Sequence, residues 1–153
     1  MRLATRADAT ELAALRYEFR SGLLPAVEPR EEFQRRCGAW MAERLADPLS
    51  GWRCWVAQAE ATLAGHVWLC LIDKVPNPVA EPERHGYVTN LFVLPRFRGD
   101  GTGGRLLGEA LTWCRERRVD AVILWPTPES RSLYARHGFS NETGLMELRR
   151  SGA

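Results

Sequence analysis

LFVLPRFRGDGTGGRLLGEALTWC, residues Leu91 to Cys114, decides how the rest of this chain is read. Its centre, RFRGDGTGG from Arg96 to Gly104, lies between an apolar strand-like run, Leu91 to Leu94, and an amphipathic helix-like run, Leu106 to Cys114. Glycines in such a turn let backbone N–H groups approach an anion closely, and a helix N-terminus adds partial positive charge. Arg98 adds a full charge on a forked donor. The stretch therefore predicts a strand–turn–helix unit and one defined place for a phosphate-bearing ligand.

Outward from this unit, the order of elements predicts an α/β (α+β) domain with one mixed sheet. Leu3 to Thr5 reads as a first strand. Leu12, Leu15 and Phe19 follow at helical spacing until Gly22 and Pro25 stop them. A second helix runs from Pro29 to about Ala46, with acids in its first turn and Pro48 beyond its end. Trp52 to Gln58 and Thr62 to Ile72 flank Ala59-Glu60-Ala61, a hairpin-length turn. The run TLAGHVWLCLI is apolar on both faces, which marks a central strand. Asp73 to Arg84 carries three prolines and reads as a long loop of the kind that shapes binding sites. Gly86 to Leu94 is a strand stopped by Pro95, and the helix after the glycine turn spans Thr102 to about Arg117. Asp120 to Trp125 reads as a short, fully buried strand in parallel pairing. Pro128 to His137 is a short helix closed by Gly138, and Phe139 to about Arg149 returns as a last strand or strand pair. Neither repeats nor a domain boundary interrupt residues 1–153, so one domain is expected.

Composition bounds the function. The chain has 153 residues, 45% of them hydrophobic, enough for one real core. A net charge of +2 is too balanced to argue for nucleic acid or an acidic membrane. No apolar stretch approaches the roughly 18–20 residues a membrane helix needs. The start, MRLATRADAT, lacks the apolar core of a signal peptide. Cys37, Cys54, Cys70 and Cys114 match no metal-binding spacing and read as free thiols in a reducing compartment, so a cytoplasmic location and no metal are expected.

The pattern Arg98-x-x-Gly101-x-Gly103 is weak by itself; its placement between strand and helix is the stronger sign. A phosphate-binding loop of the Walker type would end Gly-Lys-Ser/Thr, whereas this one ends Gly-Gly-Arg. A dinucleotide fingerprint would need an acid at the end of the next strand, and Asp120 precedes it. A flexible solvent turn is the plain alternative.

An apolar strand with Pro followed by R-x-x-G-x-G resembles the acyl-CoA signature of the GNAT (Gcn5-related N-acetyltransferase) family. RLATRADATELAALR is similar to the family's first strand and helix. DAVILWPTPESRSLYARHGF resembles its fifth strand and the helix ending in Leu-Tyr-x-x-x-Gly-Phe. The resemblance covers nearly the whole chain. It implies an acyl-CoA N-acyltransferase fold: a central mixed, mostly antiparallel sheet of about six to seven strands, flanked by about four helices, with the fourth and fifth strands splayed. It implies acetyl transfer from acetyl-CoA to an amine, most simply a small molecule's primary amine. A non-catalytic acyl-CoA-binding module and a peptide or protein N-terminal acetyltransferase are the competing functions. Family members are often dimers, which makes a homodimer one of the expected states.

The resemblance also assigns roles. The backbone of Leu91, Phe92 and Val93 would pair with the pantetheine arm, and one N–H there would stabilise the developing oxyanion. Arg98, Gly99, Asp100, Gly101, Thr102, Gly103 and Gly104 would cradle the pyrophosphate. Thr127 matches a position where the family often has an Asn touching the CoA arm. Tyr134 matches the usual general acid and also touches CoA; packing its helix on the sheet is the structural alternative. Two residues depart from the pattern. Asp100 stands where Lys or Arg is common, and an acid there weakens phosphate binding unless it turns away or pairs with Arg96 or Arg105. Thr102 replaces an aliphatic residue and could cap the helix.

The acceptor side is less defined. Thr89 and Asn90 occupy positions where many members carry a basic carboxylate; neither is a base, but either could orient substrate or water. His85, His66, Asp73 and Glu28 are further candidates, with His66 placed inside a strand and more simply a core residue. Glu28, Glu31 and Glu32 could attract an ammonium group or simply answer a helix dipole. Trp52, Trp55 and Trp68 could line a pocket, though core filling suits them better.

Overall fold

The computed structural model describes residues 1–148. Arg2–Leu3 (β1) begins the sheet, and Ala9–Ser21 (α1) and Arg30–Ala46 (α2) follow. Next come Trp52–Ala59 (β2), Thr62–Asp73 (β3) and Arg84–Val93 (β4). Thr102–Glu116 (α3), Ala121–Ile123 (β5) and Arg131–Arg136 (α4) complete the chain of elements. The strands form one sheet in the order β1-β2-β3-β4-β5. Every pairing is antiparallel except β4–β5, which is parallel. The predicted strand–helix–strand unit is thus β4–α3–β5.

The central strand is the one the sequence marks. β3 is paired on both sides, and Leu63 to Leu69 are all buried along it. Alternation sends its side chains into two cores. Val67 and Leu69 meet Leu106, Leu107 and Ala110 of α3, along with Trp55 and Val88. His66 and Trp68 face the other way; Trp68 joins Leu12 and Leu15 of α1 and Met41 of α2. Trp55 and Trp68 are therefore core residues, and Trp52 is half-buried against Trp68 and Trp40. The four cysteines are free; burial raises the Cys54 thiol well above its usual range and the Cys114 thiol to about 11.

The entrance to α1 is set by charge. Asp8 accepts both outer nitrogens of Arg2, at 2.9 and 2.7 Å, and the Thr5 N–H at 2.7 Å. These bonds hold its carboxyl down at about 2. They tie β1 to the turn that opens the helix.

Two expectations need correction. The last strand or strand pair predicted from Phe139 does not form over residues 139–148; Arg149 lies outside the described residues. The described sheet therefore has five strands rather than six to seven. The reason is local. The Ser140 hydroxyl accepts the Glu142 N–H at 3.0 Å, and the Thr143 hydroxyl accepts the Leu145 N–H at 3.4 Å. Such side-chain bonds offer the backbone an alternative to a ladder. In consequence β5 is an edge strand among the described residues. Ala121 is exposed and Val122 and Ile123 half-buried, where a fully buried strand from Asp120 to Trp125 was expected. The remaining boundaries differ by a few residues, the usual scatter of chain ends.

Candidate active site: a cleft between splayed strands

β4 and β5 stay together only from His85–Ala121 to Tyr87–Ile123. Beyond that point β4 runs on to Val93 with no strand on that side among the described residues. A bulge follows in the pairing of β4 with β3. Between Thr89 and Phe92, β4 spends one residue more than β3 spends between Trp68 and His66. Asn90 takes up the extra length at φ +53°, a left-handed conformation that Asn tolerates better than most residues. Opposite the end of β4 the backbones touch. A Cβ on Gly65 would meet the Phe92 carbonyl oxygen at 2.6 Å, so only glycine fits there.

The gap is a cleft of about 590 Å³. Leu91, Phe92, Val93, Arg98 and Gly103 form one wall; Thr127, Ser130, Leu133 and Tyr134 form the other; Phe19, Gly22 and Leu23 close it from α1. Seven residues selected from the sequence thus share one cavity: Leu91, Phe92, Val93, Arg98, Gly103, Thr127 and Tyr134. Tyr134 is buried with its ring edge-on to Phe139, and burial raises its hydroxyl above the usual phenol range. That hydroxyl has no hydrogen-bond partner among the described residues. Thr127 bonds Ser130 at 3.2 Å, which fixes the turn before α4.

At the end of β4 the glycine loop takes the conformation its composition implies. Gly99 and Gly101 sit at φ +93° and +83° with open space around them, so backbone conformation rather than crowding requires glycine. Asp100 does not stand free. Its Oδ1 accepts the Thr102 N–H at 3.0 Å and the Thr102 hydroxyl at 2.6 Å, and its Oδ2 lies 3.5 Å from Arg105. The hydroxyl and N–H of Thr102 and the nearby Arg105 hold the Asp100 carboxyl below its usual range. Thr102 is buried beneath it. The two departures from the family pattern therefore answer each other, the acid closing the first turn of α3 through the threonine. The Gly103 and Gly104 N–H groups, next in that turn, have no partner among the described residues. Gly104 packs against His137, where a Cβ would come within 3.4 Å of the ring. Arg98 Nε donates to the Val93 carbonyl at 2.8 Å and its guanidinium lies 5.6 Å from the Phe92 ring centre. This anchors the arginine at the junction of strand and loop.

The acceptor-side candidates are scattered. Glu28 lies outside the cleft and is held by Arg36 at 2.6 and 3.1 Å. Thr89 is half-buried on β4 opposite Trp68. Asn90 is at the bulge and accepts Arg16 Nη1 at 3.0 Å. His85 stands near the start of β4, beside Asp120 at 3.8 Å, about 20 Å of extended strand from Leu91. Asp73 pairs with Arg84. His66 is completely buried, neither ring nitrogen has a hydrogen bond, and burial lowers its pKa to about 3. Sequence reading missed the cleft residues Phe19, Ser130 and Leu133, which look like ordinary helix residues, and did not single out Arg16, which bonds Asn90. A signal for Arg16 existed: it falls on the apolar face of α1 defined by Leu12, Leu15 and Phe19. Among the described residues no group of three or more His, Cys, Asp or Glu could hold a metal ion, and no helix is long and apolar enough to cross a membrane.

Comparison with known proteins agrees with this architecture. The model of the acetyltransferase (GNAT) family matches residues 13–139. An uncharacterized N-acetyltransferase of Archaeoglobus fulgidus is 27% identical over 125 residues, 82% of this chain and 80% of that protein. The crystal structure of a GCN5-related N-acetyltransferase from Ralstonia eutropha superposes with a TM-score of 0.77 at 27% identity, covering 99% of this chain and 97% of that one. A predicted acetyltransferase from Clostridium acetobutylicum, solved with acetyl-CoA, gives a TM-score of 0.76 at 24% identity over 97% and 94% of the two chains, and shares the fold. With a matched stretch that runs from within the first helix through the splayed strands, the glycine loop and the tyrosine helix, the chain belongs to the acetyltransferase (GNAT) family and is an acetyl-CoA-dependent acetyltransferase.

Proposed function

We propose that the protein transfers an acetyl group from acetyl-CoA to the primary amine of a small molecule by direct attack, with Tyr134 as general acid. One observation carries this reading: the buried Tyr134 phenol, lacking a protein partner, lines the same cleft as the unpaired edge of β4. The free edge at Leu91 to Val93 has backbone groups to offer the pantetheine arm, and a backbone N–H there can stabilise the oxyanion as it develops. The first-turn N–H groups of Gly103 and Gly104, with Arg98, suit the pyrophosphate. Thr127 faces the arm from the opposite wall.

The chemistry balances without a protein base. The amine nitrogen bonds the acyl carbon, and the C–S bond breaks toward sulfur. The leaving thiolate, whose conjugate acid has a pKa of about 8.5 by analogy with cysteine, takes the Tyr134 proton. The proton lost by nitrogen passes to solvent and restores the phenol. Burial keeps the Tyr134 phenol protonated as the pH rises. Only about one in a thousand lysine-like amines is unprotonated at neutral pH, so activity rises with pH toward the acceptor's own pKa. A panel of small amines and peptides, followed by thiol release from acetyl-CoA at mildly alkaline pH, tests the reading. Turnover of small amines is expected. Turnover of peptides alone would replace the acceptor class, and binding without any turnover would reduce the protein to an acyl-CoA-binding module.

Asp100 supplies a separate check on the loop. Asp100→Asn keeps an acceptor for the Thr102 N–H but removes a negative charge beside the proposed phosphate site. Acetyl-CoA should bind about two- to fivefold more tightly by calorimetry at low salt, with the gain shrinking as salt is raised. An unchanged Kd would mean that Arg105 already neutralises the acid.

A further inference from the structure

Besides Glu11, which accepts the Leu63 N–H of β3, α1 turns a cation, Arg16, toward the sheet. Arg16 shares that side with Leu12, Leu15 and Phe19, is itself half-buried, and places its guanidinium 5.8 Å from the Phe19 ring centre. Its Nη1 donates to Asn90 Oδ1 at 3.0 Å. Its Nε–Nη2 edge has no hydrogen bond among the described residues.

No carboxylate answers this cation. The groups that act on it electrostatically are Arg20, Cys37 and Tyr87; desolvation, followed by Arg20, lowers its pKa. Carboxylates on the neighbouring elements are committed elsewhere. Glu11 accepts the Leu63 N–H at 2.7 Å, Glu18 pairs with Arg30, and Glu28 pairs with Arg36. A partly desolvated guanidinium without an anion is unfavourable, and its free edge has the fork geometry that matches a carboxylate. Its position gives the missing anion a purpose. Arg16 is bonded to the bulge residue that immediately precedes Leu91, the start of the strand edge assigned to the acyl-CoA arm.

We propose that Arg16, braced by Asn90 beside the splayed end of β4, determines acceptor specificity by binding a carboxylate carried by the acceptor amine, so that the acceptor is of amino-acid type. This rests on the acetyl-transfer reading of the cleft. It differs from the alternative in which Glu28, Glu31 and Glu32 attract an ammonium group.

Matched probes test it: L-phenylalanine, L-methionine and glycine, each against its own amide, with acetyl-CoA as donor. The amide's amine is the less basic and is more abundant in its free form, so a preference for the acid cannot come from amine basicity. The wild-type protein should favour the acid in kcat/KM by at least about tenfold, mainly through KM, the size expected of one charge-assisted pair. In Arg16→Gln the ratio should fall to about one while acetyl-CoA affinity is unchanged; Arg16→Lys, which keeps charge but not the fork, should fall between. A residue that only braces the bulge would slow acid and amide alike and leave the ratio untouched. Amides used as well as acids by the wild type, or an acid preference that survives Arg16→Gln, would overturn the proposal, and the wild-type ratio decides even if a variant does not fold. Calorimetry of the same probes on the CoA-bound protein separates the two readings. Binding of acids but not amides without turnover would sink acetyl transfer to these amines while upholding Arg16; equal or absent binding of both would sink Arg16.

Discussion

Tyr134→Phe should lower kcat by about a hundredfold, near the bottom of the range for a general acid because a thiolate is already a good leaving group. Acetyl-CoA affinity should change much less. The substitution removes one oxygen and keeps the ring, whose edge-on contact with Phe139 at 5.7 Å and whose place in the core beneath α3 need no hydroxyl. Folding should therefore survive, and the loss should appear in turnover. The pH profile gives a second reading. The Tyr134 hydroxyl titrates above the usual phenol range, so an alkaline fall in kcat belongs to the wild type and should vanish in the variant. Equal kcat values would return Tyr134 to a packing role and leave protonation of the thiolate to solvent.

His66 should govern stability in mild acid. The folded protein holds it neutral down to about 3 because the ring is completely buried without a hydrogen bond, whereas an unfolded chain protonates it near 6.5. Between those values the unfolded state binds the extra proton. Stability is therefore fully present above about pH 6.5 and falls as the pH drops, by about 1.4 kcal/mol per unit from this group. At pH 4 the loss reaches about 3 kcal/mol, a large share of an ordinary domain's 5–15 kcal/mol. His66→Leu should remove this slope and be at least as stable at neutral pH, since no satisfied polar group is lost. Urea unfolding from pH 7 to 4.5 reads the difference. Asp8 does not confuse it. That carboxyl is held down to about 2, so its contribution is complete above about 3.8 and lost only below that. Parallel slopes for wild type and variant would show that the folded protein admits the proton.

How far the site was legible depended on the kind of interaction that makes it. The glycine loop could be read because its requirement is local. Gly99 and Gly101 need positive φ, and α3 begins beside them, so composition and structure coincide within a few residues. Asp100 and Thr102 stood out as departures from the family pattern, but their mutual hydrogen bonds were hidden because side-chain direction is not written in spacing. The last strand misled for a related reason. A strand was expected there, while the hydroxyls of Ser140 and Thr143 take up the Glu142 and Leu145 N–H groups locally.

By itself the sequence determined the order of elements, the central position of β3 and the glycine loop beside the cleft, because periodicity and turn chemistry act between near neighbours. Only the tertiary structure decided which charged and titratable groups stand together. It paired Glu28 with Arg36, sealed His66 beneath the sheet and brought Arg16 to Asn90 across 74 positions of chain. Burial and long-range pairing set the last two outcomes, which arise only when the helices pack onto the sheet.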